Sequence, residues 1–191
     1  MQTVVQQEEN NATGIPTPKI LLWLGMVGMV MLFAALTSAY VVRKAEGNWI
    51  EFTLPRMFTL STLAIIISSF TMQYAIYAVK RNQFNNIKIA VITTLGLGLA
   101  FIFMQFIAWT TMVNNGIYFV GNPSGSFLYV LSGMHILHLV GGILALIVIS
   151  VKSIQEKYTS ENFLGLQLGA IFWHFLDLLW VYLFVFVSYI A

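Results

Sequence analysis

The 191-residue chain has no cysteine and few charges: nine Lys and Arg and seven Asp and Glu, 8% of the residues. Without cysteine there is no disulfide framework and no thiolate metal site. Soluble domains carry roughly 25% charged residues, so this chain cannot cover a water-exposed surface with charge. It is not a disordered chain either, because hydrophobic residues make up 59% and aromatics 15%. Proline occurs four times, each time within a few residues of the start of an apolar run. The nine basic residues form no stripe that would follow a nucleic acid. With a mean hydropathy of +0.83, the class that remains is a membrane protein.

A hydrocarbon core of about 30 Å needs about 20 apolar residues per helical span. Five segments meet this, at about 20–42, 57–79, 89–112, 127–151 and 164–190. The first four hold no Asp, Glu, Lys or Arg, and the fifth holds one, Asp177. Lipid offers no partner to a bare backbone, so each span is expected to be a complete helix. The alternating segments of about ten residues that build a strand barrel are absent. The expected fold is all-α, a polytopic bundle of five transmembrane helices (20–191) behind a polar N-terminal tail (1–19) that ends in Pro16 and Pro18 and orders on a partner.

Basic residues set the expected orientation. Lys19, Lys80, Arg81, Lys88, Lys152 and Lys157 fall on one side, and Arg43, Lys44 and Arg56 on the other. The bias puts the N-terminus in the cytoplasm and, after five spans, the C-terminus outside. The N-terminus lacks the pattern of a cleaved signal peptide, which makes a bacterial inner membrane the simplest location.

Four ionisable side chains lie inside spans: His135 and His138 on the fourth, His174 and Asp177 on the fifth. Each pair is spaced i, i+3 and shares a helix face. At 1.5 Å per residue all four fall in one layer, with His135 and Asp177 roughly 10–12 Å and His138 and His174 roughly 15–16 Å from the outer boundary. Such groups face protein or water. The favoured reading is a structural polar layer, a hydrogen-bonded set that locks helices together. The alternatives are a stand-alone metalloprotein, since three imidazoles and a carboxylate suit zinc or iron, a haem held by His174 with one histidine of the fourth span, and a small proton or solute transporter centred on Asp177. A proton path needs further buried groups, and no other span holds a carboxylate. Glycines at 25, 28, 96, 98, 141, 142, 165 and 169 suit close helix approach. Trp173, Asp177 and Trp180 share one face, as do Gln105 and Trp109 on the third helix. Packing plus one hydrogen bond is the expected role of the first set, and an interhelical hydrogen bond that of the second. No P-loop, G-x-S-x-G or HExxH is present.

The run Ser132-Gly133-Met134-His135-Ile136-Leu137-His138-Leu139-Val140-Gly141-Gly142 resembles the "TGxHxxHVxxG" signature of haem-copper respiratory oxidase (cytochrome c or quinol oxidase) subunit III. Trp173-His174-Phe175-Leu176-Asp177-Leu178-Leu179-Trp180 resembles that family's "WHFVDxVW", and Gly98, Phe101, Gln105 and Trp109 are similar to its "GxxFxxxQxxEW". The order and the five spans match the short bacterial form. The resemblance implies a non-catalytic subunit that binds no haem or copper itself. It would pack on the catalytic subunit I, which holds them, bind phospholipid in a cleft, and support oxygen reduction coupled to proton translocation. Two family carboxylates are missing: Ala108 replaces the Glu before Trp109, and Met29 stands nearest to the place of the Glu in the first shared helix. Roles assigned to those carboxylates do not carry over to this chain.

Overall fold

The computed structural model describes residues 16–190. They form five helices: α1 (Thr17–Ala45), α2 (Arg56–Lys80), α3 (Phe84–Asn114), α4 (Pro123–Ile154) and α5 (Leu164–Ile190). All five are long and apolar enough to cross a membrane, and no strand occurs among the described residues. The fifth span coincides with its expected bounds. The others run past theirs, because helix continues beyond the apolar stretch into the interfacial layer.

Two boundaries differ from expectation for the same reason. Pro16 and Pro18 were expected in the tail and Pro123 in a loop, yet α1 starts at Thr17 with Pro18 in its first turn, and α4 starts on Pro123 itself. The first turn has no use for the missing N–H, and the fixed φ of proline suits it. Asn122 caps α4, its side-chain oxygen accepting from Ser124 N at 3.0 Å. The rest of the expected tail, residues 1–15, lies outside the described residues.

Short connections make successive helices run in opposite directions. Helices α2, α3, α4 and α5 close a ring, each touching the next and α5 returning to α2. The α2–α3 hairpin has the most extensive interface. Helix α1 lies outside the ring against α4 and α5 and buries far less of its apolar surface than they do. Its buried side chains are Met26, Phe33, Thr37 and Tyr40.

Both ends are tied. At one, Asn82 bonds Ser160 and Lys88 pairs with Glu156 at 2.8 Å, joining the α2–α3 turn to the α4–α5 loop. In that loop burial pushes the Tyr158 hydroxyl above its ordinary pKa. At the other end, Tyr40 packs edge-on against Trp49, Phe127 and Phe186, and Lys44 donates to the carbonyl of Ile190.

The ring closes on Trp173, which is 1% exposed. Its indole lies where Gly98 of α3 and Gly142 of α4 leave room. A Cβ at Gly98 would meet the ring at 2.6 Å, and one at Gly142 would meet Leu176 at 2.8 Å and the ring at 3.4 Å. Without a hydrophobic drive between helices in lipid, such close packing carries much of the association. Gly169 is likewise crowded by Ile149, whereas Gly25, Gly28, Gly96 and Gly141 face open space, so half of the expected small-residue contacts are not made within this chain.

This contrast gives an expected outcome. Gly142→Leu should destabilise the detergent-solubilised protein by about 1–3 kcal/mol through overpacking. Gly96→Leu should change its thermal midpoint little, and equal losses for the two would contradict the packing described.

Candidate functional site

Interhelical polar contacts converge on α2. Ser61, Thr62, Ser68 and Ser69 occupy one side of that helix, as two adjacent pairs seven residues apart. Ser61 Oγ accepts from Gln105 Nε2 of α3 at 2.7 Å. Thr62 Oγ1 accepts from Trp180 Nε1 at 3.0 Å, and Ser68 Oγ accepts from Trp173 Nε1 at 3.0 Å, both from α5. Ser69 Oγ and His174 Nδ1 share a hydrogen bond at 2.5 Å. Ser61, Thr62 and Ser68 each donate their own proton to a carbonyl one turn back, at Phe58 or Ile65, which leaves the oxygen free to accept from the neighbour. One turn beyond Ser68, Thr71 bonds Thr94 of α3 at 2.7 Å.

Two further clips lie elsewhere. Trp109 Nε1 donates to Ser132 Oγ of α4 at 3.1 Å, so Gln105 and Trp109, although on one face, reach different neighbours. Thr37 of α1 bonds Tyr182 of α5 at 3.0 Å.

The four ionisable groups of the expected polar layer are distributed over three places. His174 and Asp177 stand together at the α2–α5 seam beside Ser69. His135, fully buried, sits inside the ring between the edge of Phe101 and the indole of Trp180, with centroid distances of 5.9 and 5.0 Å, and neither ring nitrogen has a hydrogen-bond partner. His138 turns outward to α1, its ring 5.7 Å from Phe33, and its Nδ1–H donates to the carbonyl of Met134 at 2.7 Å. Imidazole therefore does not meet imidazole. Among the described residues no three His, Cys, Asp or Glu are grouped to hold a metal ion, and the expected alternative of a three-histidine, one-carboxylate site has no such geometry.

Asp177 is 4% exposed; among the described residues neither carboxyl oxygen has a partner of good hydrogen-bond geometry, and the Ser69 hydroxyl beside it is already shared with His174. It borders a cleft of about 350 Å³ together with Ser69, Gln73 and His174, walled by Ile66, Phe70, Leu178 and Val181. The Ala108 methyl is fully buried on the face of α3 that also holds Gln105 and Met112. A glutamate there would have to bury its carboxyl inside the ring. Met29 is half-buried on peripheral α1.

The α2 hydroxyls were absent from the sequence-derived candidates. The signal that would have found them is the repeat of adjacent hydroxyl pairs, Ser61-Thr62 and Ser68-Ser69, at the two-turn spacing of one helix face.

Comparison with known proteins follows the same residues. The family model for cytochrome c oxidase subunit III matches residues 48–191, which takes in the four-helix ring and leaves out α1. The chain is 29% identical over 176 residues to the probable cytochrome c oxidase subunit 3 of Mycobacterium tuberculosis (strain ATCC 25618 / H37Rv), covering 89% of this chain and 85% of that one. It is 28% identical over 189 residues to the cytochrome c oxidase subunit 3 of Bacillus sp. (strain PS3), covering 96% and 91%. It is 27% identical over 167 residues to the protein of that name from Thermostichus vulcanus, covering 83% and 80%.

Substitution at the seam should separate the contributions of the two residues. His174→Leu removes the partner of Ser69 and leaves Asp177 with one fewer polar neighbour, so the yield of assembled protein should fall. Ser69→Ala should cost less, about 0.6 kcal/mol for one interhelical hydrogen bond in a membrane. Unchanged yield and thermal stability for His174→Leu would show that the seam carries no structural load.

Proposed function

The chain belongs to the cytochrome c oxidase subunit III family, and on that premise we propose that it is the non-catalytic subunit III of an aerobic respiratory haem-copper terminal oxidase. In this reading it packs on the catalytic subunit I, which carries the haem and copper. It sustains oxygen reduction coupled to proton translocation without touching oxygen itself. The observation that carries the reading is the match over residues 48–191, which covers both His-containing motif runs and the Gln105–Trp109 segment.

Two features support its finer parts. A polytopic chain that packs on a large partner needs apolar surface beyond its own core. Helix α1 offers it, with Leu21, Trp23, Leu24, Val27, Val30 and Met31 all at least half exposed. For lipid, the support is an apolar groove of about 900 Å³ between α1 and α4. Ala35, Ser38, Ala39 and Val42 line one wall, Pro123 and Phe127 the other, and Arg43 stands at its mouth. An acyl chain fits such walls, and a guanidinium at the interface suits a phosphate. Arg43 also pairs with Glu46 at 3.1 Å, so a phosphate there competes with that carboxylate.

For orientation, the support is the six-to-three split of basic residues between the two tied ends. The reading places the N-terminus in the cytoplasm of a bacterium and the C-terminus outside its inner membrane. A chain with no cysteine of its own makes this testable. Asn48→Cys and Asn122→Cys should react with an impermeant maleimide on intact cells stripped of outer membrane, while Asn82→Cys and Ser160→Cys should react only after lysis.

The decisive experiment is purification through a tag on this chain from aerobically grown cells in mild detergent. A haem-copper subunit with its reduced-minus-oxidised haem spectrum should co-purify in stoichiometric amount. Isolation of this chain without any haem protein would overturn the assignment.

A further inference from the structure

At the α2–α5 seam a cleft holds buried polar groups that the described residues leave without a well-placed partner. Asp177 stands midway between Leu164 and Ile190, roughly 20 Å from either helix end at 1.5 Å per residue. Among the described residues neither its oxygens nor Nε2 of His174, one turn before it, has a hydrogen-bond partner of good geometry, and the Ser69 hydroxyl beside the carboxyl is shared with His174 Nδ1. They border the same 350 Å³ cleft. The rim is apolar and outward-facing: Phe70 is 71% exposed and Leu178 is 70% exposed.

What covers such a cleft must bring hydrogen-bond donors to mid-membrane. Lipid tails have none, and headgroups stay roughly 10–15 Å away, outside a hydrocarbon core of about 30 Å. A buried carboxyl with neither oxygen satisfied is costly in that setting. The volume admits a single large side chain, and the rim offers flat aromatic and aliphatic surface on which a helix can lie.

We propose that this cleft docks a membrane-spanning helix of a partner subunit, which inserts one hydrogen-bond-donating side chain between Ser69, His174 and Asp177. The inserted group is an amide, hydroxyl or cationic side chain. It donates to the Asp177 carboxyl and meets His174 Nε2, while Phe70 and Leu178 grip the helix on either side. The site rests on the subunit III reading, since that reading supplies a partner with membrane-spanning helices. It gives Asp177 and His174 a role in selecting and registering the partner.

The absence of native cysteine makes Phe70→Cys and Leu178→Cys unique labelling positions in this chain. Each is carried in the tagged, membrane-assembled complex and reacted with a lipid-soluble benzophenone maleimide, before and after denaturation. In the native complex both positions should be shielded from the reagent. Modified first in native membranes at low yield and then illuminated, they should cross-link to a co-purifying subunit. Asp177→Leu should raise native labelling by about tenfold, the equilibrium equivalent of one lost hydrogen bond to a carboxyl, while Asp177→Asn, which still accepts, should leave it near the parent level. Rim cysteines that label as fast in the native as in the denatured complex, with cross-links only to lipid, would overturn the docking site even where the haem-copper subunit co-purifies. A preparation lacking that subunit would instead overturn the subunit assignment.

Discussion

Lipid supplies no hydrogen-bond partner, and everything polar in this molecule is arranged around that constraint. Each span must be a full helix. A polar side chain within a span is costly unless it finds a partner on its own helix, on a neighbour or on another subunit, and inside the ring His135 bears that cost. The serines and threonines of α2 meet the first two demands together. Each of Ser61, Thr62 and Ser68 returns its proton to its own backbone and offers its oxygen to a neighbouring helix. The donors that arrive are groups with no other outlet in an apolar core, the indole N–H of Trp173 and Trp180 and the amide of Gln105. Helix α2 thereby becomes the spine to which α3 and α5 are fastened, and α4 joins through Trp109 and Ser132.

The same constraint separates two kinds of surface. Inside the ring, the α2 hydroxyls, the α5 indoles and the Gln105 amide N–H are matched, His135 and the Gln105 oxygen are left unpaired, and glycines admit the indole of Trp173. Outside it, α1 is bound by one polar clip at Thr37 and one at Lys44, with most of its apolar side chains facing away from the chain. The family match follows that division, covering the ring and the loop before it. The unsatisfied Asp177 and His174 fall at the boundary between these two surfaces, where a partner from outside can reach them.

The number of helices, their class and their approximate limits were legible in the sequence, because apolar runs without charge have one solution in a bilayer. An interhelical hydrogen bond from the Gln105–Trp109 face was legible too, whereas Trp173 and Trp180 were expected to pack with a single hydrogen bond and both indoles in fact donate to α2. Three things were not legible. The peripheral place of α1 leaves no trace in hydropathy, because lipid and protein interior are equally apolar and α1 is as apolar as buried α4. Helix rotation was the second. The i, i+3 spacing puts His135 and His138 on one broad face, but a face can straddle two neighbours, and here it divides between the ring interior and α1. The α2 hydroxyls were missed because Ser and Thr barely perturb an apolar run and their donors on α5 lie more than a hundred residues away in sequence.

The central claim is that α2 holds the ring through its hydroxyl face, and its most direct test is the unfolding free energy of the bilayer-embedded protein after Ser61→Ala, Thr62→Val, Ser68→Ala and Ser69→Ala are combined. Four interhelical hydrogen bonds at about 0.6 kcal/mol each give an expected loss of roughly 2–3 kcal/mol. The comparison is an equal set of conservative changes on the exposed face of the same helix, Leu60→Ile, Leu63→Ile, Ile67→Leu and Tyr74→Phe, for which a change within about 0.5 kcal/mol is expected. Equal losses from the two faces would contradict the account.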